Sequence, residues 1–436
     1  MLLRRARVGK GVMDEMSGLP RNRARASLGN SAKEMVRVSM NKLLYGTTAL
    51  ATAGILLAAA GEAKAADRLA LEVHGYMQQW MVFNDIGLTN VEDGTGKHPF
   101  DWSRVDQKHN AEVCFTGSYK LDNQVTIGAD VQLEANTSGD QIDESYAWIS
   151  TESFGKVIVG DENNAGYLLQ VTAPHGGLAH NQGVITAMPN QGFVIAPQGF
   201  DIADTVIDGT LLRFDDDDSG KFTYISPRFA GFQIGVSYIP NFESGGDNNN
   251  SVNRVNSVTG PGTNGTINGF AGGINYKEKI GTVGVEASLA GLYGNTAPAA
   301  GSNDLFAGSV GLLLSFSGFE VGGSYTHAQG DKSTGPVANI ESYDGNSYDV
   351  GVAYTTGPYK VGLAYQRGVS EGVRDNSGEQ RADYLVLSGT YTLGPGVRVI
   401  GGVYAADLDG EDGVAAANQV EEFSAIGGGV GLTLSF

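Results

Sequence analysis

The stretch Gln124-Val125-Thr126-Ile127-Gly128-Ala129-Asp130-Val131-Gln132-Leu133-Glu134-Ala135 alternates strictly, with Val125, Ile127, Val131 and Leu133 on one face and Thr126, Asp130, Gln132 and Glu134 on the other. Successive side chains of a strand point to opposite faces, so this period of two marks a β-strand with one apolar and one polar face. Gly396–Ala406 repeats the pattern, with Val397, Val399 and Val403 opposing Arg398 and Tyr404. A soluble barrel fills its interior with the apolar face. A wide membrane barrel turns that face to lipid and lines a lumen with the polar one.

Working outward, the same unit recurs along the chain. Alternating segments are expected at Leu69–Phe83, His109–Lys120, Gln124–Ala135, Gln141–Thr151 and Lys156–Asp161, then at Leu212–Ser226, Gly231–Pro240, Asn268–Lys277, Thr282–Tyr293, Leu305–Ser317 and Gly318–His327. Ser347–Thr355, Tyr359–Gly368, Arg381–Leu393, Gly396–Ala406 and Gln419–Phe436 complete an even set of sixteen. Their connections sort by parity. Leu121-Asp122-Asn123, Glu152–Gly155, Pro227–Ala230, Lys277–Gly281, Ser317-Gly318, Gly357-Pro358 and Gly394-Pro395 are tight, whereas Asn84–Lys108, Asn241–Ile267, Ala328–Asn346 and Leu408–Asn418 are long and polar. Short turns at one end and long loops at the other are the pattern of outer-membrane barrels, with the turns facing the periplasm. A β-sandwich does not sort its loops this way.

The N-terminal region supports export. Met40 and Lys42 precede Leu43-Leu44 and a small, apolar run from Ala49 to Ala60, and Ala63-Lys64-Ala65 follows. A basic start, a short apolar run and an A-x-A site make residues 40–65 a signal peptide; a membrane-spanning helix needs about 20 apolar residues. Residues 1–39 are arginine-rich without apolar period and read as an upstream extension, leaving 66–436 as the barrel.

The 436-residue chain has a formal net charge of −19 at pH 7, and the arginine-rich leader makes the remainder more acidic still. That excludes a nucleic-acid partner, whose phosphates it repels, and suits a surface or pore that meets cations. Its 64 glycines weigh against helix and suit curved, closely packed sheet. The single cysteine, Cys114, reads as a small packed side chain. The histidines (74, 98, 109, 175, 180 and 327) sit in no Gly-x-Ser-x-Gly or His-Glu-x-x-His context, so neither an enzyme nor a metal or other cofactor is expected. His175 and His180 lack a third ligand. Aromatics beside the short turns, namely Tyr146, Trp148, Phe154, Tyr224, Phe229, Phe232, Phe316, Phe319, Tyr354, Tyr359 and Tyr391, are expected to form an interfacial girdle.

Three stretches resemble the trimeric general diffusion porins of Gram-negative bacteria. Ser145-Tyr146-Ala147-Trp148-Ile149 with Phe154-Gly155-Lys156-Val157-Ile158-Val159-Gly160 is similar to the family's fourth and fifth strands. Tyr224-Ile225-Ser226-Pro227-Arg228-Phe229-Ala230-Gly231-Phe232 resembles the sixth and seventh. The terminal Phe436, after alternating Leu432 and Leu434, is similar to the signal read by the barrel-assembly machinery. The resemblance implies a homotrimer in outer-membrane lipid and lipopolysaccharide, passing small solutes and ions, with a third loop, Glu162–Leu211, folded into the lumen. A sugar-specific channel would show a stripe of lumen aromatics and a phosphate channel lumen lysines; neither pattern is clear. A substrate-specific channel is the second reading.

With the third loop inside, the expected constriction takes its acids from Asp201, Asp204 and Asp208, faced by wall residues Asp130, Glu134, Lys360 and Arg398, with Arg213 just past the loop. Low-dielectric walls strengthen fixed charges at such a narrowing, and the expected result is a transverse field within a cation-preferring pore.

Overall fold

In a computed structural model, residues 69–88, 104–135, 142–178, 209–214, 219–242, 266–296, 303–332, 341–372, 378–410 and 422–436 are described. They form β1 (Ala70–Leu88), β2 (Val105–Lys120), β3 (Thr126–Glu134), β4 (Ile142–Thr151), β5 (Gly155–Asp161), helix α1 (Ala165–Leu168), β6 (Gly220–Ile225), β7 (Phe232–Asn241), β8 (Thr266–Ile280) and β9 (Val283–Thr296). Then come β10 (Leu305–Phe316), β11 (Phe319–Gln329), the short pair β12 (Asp331–Lys332) and β13 (Glu341–Ser342), β14 (Gly345–Thr356), β15 (Tyr359–Ser370), β16 (Gln380–Gly394), β17 (Val397–Asp409) and β18 (Glu422–Ser435). All but β12 and β13 join one closed antiparallel barrel in sequence order, with β18 returning to β1. Sixteen strands close it, the number expected.

Closure gives the alternation an inside and an outside. On β14, Tyr348, Val350 and Val352 are exposed, while Ser347, Asp349, Gly351 and Ala353 at the alternate positions are buried. The exposed row continues through Val361 and Leu363, Leu385 and Leu387, and Val403, an apolar band that fits lipid. The band ends in rings. Near the short turns, Phe319 lies 5.7 Å from Phe316 and 4.5 Å from Tyr354, and Tyr359 stacks on Tyr391 at 4.9 Å. Towards the long loops Tyr238 meets Phe270 at 5.1 Å, and Tyr348 meets Tyr365 at 6.1 Å. Amphipathic rings at both edges of an apolar band are the interfacial girdles of a membrane barrel. Among the described residues no helix is long and apolar enough to cross a membrane.

Two expectations change. The strand expected at Leu212–Ser226 begins only at Gly220; Leu212 and Phe214 are buried instead with Ile239, Phe242, Leu292, Leu305 and Tyr343 in an apolar cluster inside the barrel. Alternating apolar residues suit a segment pressed on an interior wall as well as a strand. Tyr146 and Trp148 do not join the girdle. They share a face with Glu144 and lie across from Gly160 and Ile158, and Trp148 Nε1 donates to Asp130 Oδ2 at 2.5 Å on the lumen side.

Candidate functional site: the lumen and its strap

After β5 the chain turns inward and runs across the inner wall as a strap, residues 162–178. Its geometry follows from what the wall strands present. Ala165 N donates to Ser237 Oγ on β7 (2.8 Å), Val171 N to Ser288 Oγ on β9 (2.8 Å), Ala173 N to Asp349 Oδ1 on β14 (3.2 Å) and Leu178 N to Ser388 Oγ on β16 (3.2 Å). Strap N–H groups that no regular ladder satisfies thus find hydroxyls or a carboxylate spaced around half the barrel, as buried backbone donors require. Between these acceptors the strap's carbonyls pass directly over glycines of the wall. A Cβ on Gly311 would stand 1.9 Å from Val171 O, and one on Gly351 2.3 Å from Pro174 O. The row of small residues is the seat of the strap, and it accounts for part of the glycine excess.

A returning arm, residues 209–214, lies along the strap. Asn164 Nδ2 donates to Leu212 O (2.8 Å), Leu212 N to Gln170 Oε1 (2.9 Å), and Gln170 Nε2 both to Thr210 O and to Ser309 Oγ on β10 (2.6 Å). Leu212 and Phe214 then anchor in the apolar cluster, where Phe214 meets Tyr343 edge-on at 5.6 Å. Both described ends of the third connection therefore lie in the lumen.

The strap's wall contacts run from β4 to β17; the arc β1–β4 has a different chemistry. Its lumen face carries Glu112, Asp130, Glu134 and Glu144. Asp130 accepts from Thr116 Oγ1 (2.5 Å) and Trp148 Nε1 (2.5 Å), and Glu112 from Cys114 Sγ (3.2 Å). Glu144 accepts from Gln132 Nε2 and, at 2.8 Å, from Asn163 Nδ2 of the strap. These donors are neutral and leave the carboxylate charge in place. Lys156 aims its ammonium at rings, 5.0 Å from the centroid of Trp148 and 5.6 Å from that of Tyr146.

Of the expected constriction residues, Asp130 and Glu134 therefore come together on one arc. Lys360 is on the lumen face near the short turns, where its Nζ pairs with Glu320 Oε2 at 2.8 Å. Lys277 and Glu286 form a similar pair at 2.8 Å. Arg398 is exposed on the lumen face of β17, opposite Thr392 and Thr433. Arg213 stands in the returning arm between the buried Leu212 and Phe214. Asp201, Asp204 and Asp208 lie outside the described residues, as does His180. Sequence reasoning missed Glu112, Glu144, Asp349 and Gln170. The first two could have been found by carrying the face parity of Asp130 across to the neighbouring strands.

An apolar outside, a polar inside and a strap seated across the lumen define an outer-membrane β-barrel channel. A Gram-negative porin family model matches residues 46–411, and the chain belongs to that family. Uncharacterized proteins of Rickettsia bellii (strain RML369-C) and Rickettsia felis (strain ATCC VR-1525 / URRWXCal2) are each 25% identical over 340 residues, 66% of this chain and 75% of the relative. The outer membrane channel DcaP of Acinetobacter baumannii shares the fold with a TM-score of 0.54 at 12% identity, covering 86% of this chain and 100% of that one. An anion-selective porin from Comamonas acidovorans gives 0.52 at 16%, over 84% and 100%. The trimer form of in-vitro folded OmpT of Vibrio cholerae gives 0.51 at 13%, over 85% and 100%.

Proposed function

We propose that this porin is a general diffusion channel for small hydrophilic solutes and ions, preferring cations and working as a homotrimer. One observation carries the ionic preference: Glu112, Asp130, Glu134 and Glu144 share the lumen face of β2–β4, and the named donors to Glu112, Asp130 and Glu144 carry no charge. The cations Lys277 and Lys360 are matched within the wall by Glu286 and Glu320, so they offset little of that charge. The fold itself does not set the sign, since an anion-selective porin shares it. Asp201, Asp204 and Asp208 add further negative charge if the rest of the third connection follows its two ends into the lumen.

The trimer is the assembly that the family resemblance implies, and V. cholerae OmpT has been solved in such a form. Delivery by the barrel-assembly machinery, seating in outer-membrane lipid and lipopolysaccharide, and export through residues 40–65 complete the proposal. The test is a planar-bilayer recording under a salt gradient. A reversal potential of the sign set by cation flux, reduced as ionic strength rises and screens the wall, is expected. A potential of the opposite sign overturns the cation preference.

A further inference from the structure

The strap is held at many points, but among the described residues one wall side chain bonds to both of its arms. Asp349 lies on the lumen face of β14 and is 3% exposed. Its Oδ1 accepts from the backbone N–H of Ala173 on the incoming arm (3.2 Å), from Ser324 N (2.6 Å) and from Ser324 Oγ (2.8 Å) on β11. Its Oδ2 accepts from Thr210 Oγ1 on the returning arm at 3.1 Å. Ser324 Oγ also lies 2.7 Å from Thr210 Oγ1, to which it can give its one proton instead of to Asp349. Thr326 Oγ1 donates to Thr210 O beside it.

An ionised carboxylate only accepts hydrogen bonds, so four converging donors suit it better than any neutral side chain. Buried charge is tolerated where it is hydrogen-bonded in this way. Removing the acceptor takes a bond from the Ala173 N–H of the strap and from the Thr210 hydroxyl of the returning arm together, so the one tie the two arms share on β14 is lost while their other wall bonds remain.

We propose that Asp349 is the positioning residue of the pore, the group that ties both arms of the lumen segment to β14 and so fixes the open cross-section. With it, the two arms are tied to one point of β14; without it, each keeps its other wall bonds but moves independently of its partner, and the conducting cross-section fluctuates. The proposal rests on the chain being a channel and is independent of the sign of its ion preference.

The test compares single-channel traces of parent and Asp349→Ala in planar bilayers, with heat-resistant migration of the folded barrel on gels as the fold control. Frequent brief partial closures and a lower closing voltage are expected in D349A. Asp349→Asn keeps one acceptor oxygen and is expected to fall between. A double-cysteine variant re-pins the strap independently: Leu169→Cys with Gly273→Cys, because a Cβ on Gly273 would stand 3.3 Å from Leu169 Cβ, as it would from Ala290 Cβ. Oxidised on the D349A background, it is expected to restore the quiet parent trace, and reduction to release it. If D349A folds but conducts like the parent, or if the cross-link leaves the closures unchanged, the proposal is overturned. Should D349A fail the fold control, Thr210→Val removes the returning arm's donor alone; a parent-like trace there overturns it equally. A parent protein that conducts nothing would instead overturn the channel reading.

Discussion

Gly75 and Phe436 exchange both backbone hydrogen bonds across the barrel seam, Gly75 N to Phe436 O and Phe436 N to Gly75 O, each 3.1 Å. The last residue of the chain thus completes the ladder that its first strand opens. These bonds do not involve the Phe436 side chain, which is 64% exposed on the outside.

Phe436→Asp therefore leaves the seam bonds available and alters what the outside presents. Outer-membrane yield is expected to drop sharply through lost recognition by the assembly machinery, while any protein that does insert keeps parent heat resistance. Gly75→Ala is expected to do the reverse damage, because its Cβ would fall 2.2 Å from Glu112 O and push β1 out of its ladder with β2, displacing the residue that bonds Phe436. Membrane fractionation with semi-native gels separates the two, and equal yield of F436D and parent refutes the recognition role.

Neutralising the β2–β4 arc, with Glu112→Gln and Asp130→Asn together, is expected to lower the cation-over-anion permeability ratio read from reversal potentials. Asp201→Asn, Asp204→Asn and Asp208→Asn together are expected to act in the same direction. Asp247→Asn, in the long connection after β7, serves as the control. Equal shifts in all three would remove the assignment of selectivity to the lumen.

Gly311→Val forces a side chain into the 1.9 Å gap beneath Val171 O. Overpacking of this kind costs about 1–3 kcal/mol. Lower heat resistance together with altered conductance is expected, whereas Gly281→Ala, a turn position where an added Cβ meets nothing within 4 Å, is expected to leave conductance at the parent value.

Leu387→Arg places a charge on the lipid face near the middle of β16 and is expected to destabilise the barrel by about 2–4 kcal/mol, measured by urea unfolding from lipid vesicles. Ser118→Arg, on the lumen face of β2, is expected to change ion preference with little change in the unfolding midpoint. Inverse behaviour of the pair would mean that inside and outside have been exchanged.

N-terminal sequencing of outer-membrane material is expected to begin at Ala66. Retention of residues upstream of Lys64 refutes the processing site.

How much of the molecule is legible in its sequence depends on the range over which the information lies. The polar and apolar faces of a strand are a local, period-two property that Gln124–Ala135 carries unaided, and strand number and loop parity follow from the recurrence of that pattern along the chain. Alternation puts Leu212 and Phe214 in a strand because it cannot distinguish a ladder from an interior packing surface. Nearness to a turn puts Tyr146 and Trp148 in the girdle, where the parity of Glu144 is the better guide. Asp349 has no local mark at all: its partners lie 176 residues away at Ala173 and 139 away at Thr210, and only the closed barrel brings them within reach. Arg398, Lys360, Asp130 and Glu134 can be put on the right face, but not ranked by height or by neighbour, because register between strands follows from loop and turn geometry.

The row of small residues beneath the strap divides the circumference into two kinds of territory. Where Gly311 and Gly351 lie, almost any new side chain dislodges the segment that shapes the pore, so that half of the wall is closed to chemical experiment. The arc of Glu112, Asp130 and Glu144 carries side chains already and can exchange them without touching that seat. Lineages of this protein facing different nutrients or toxins would then record their histories chiefly on β2–β4, and sequence drift around the barrel should be lopsided rather than uniform.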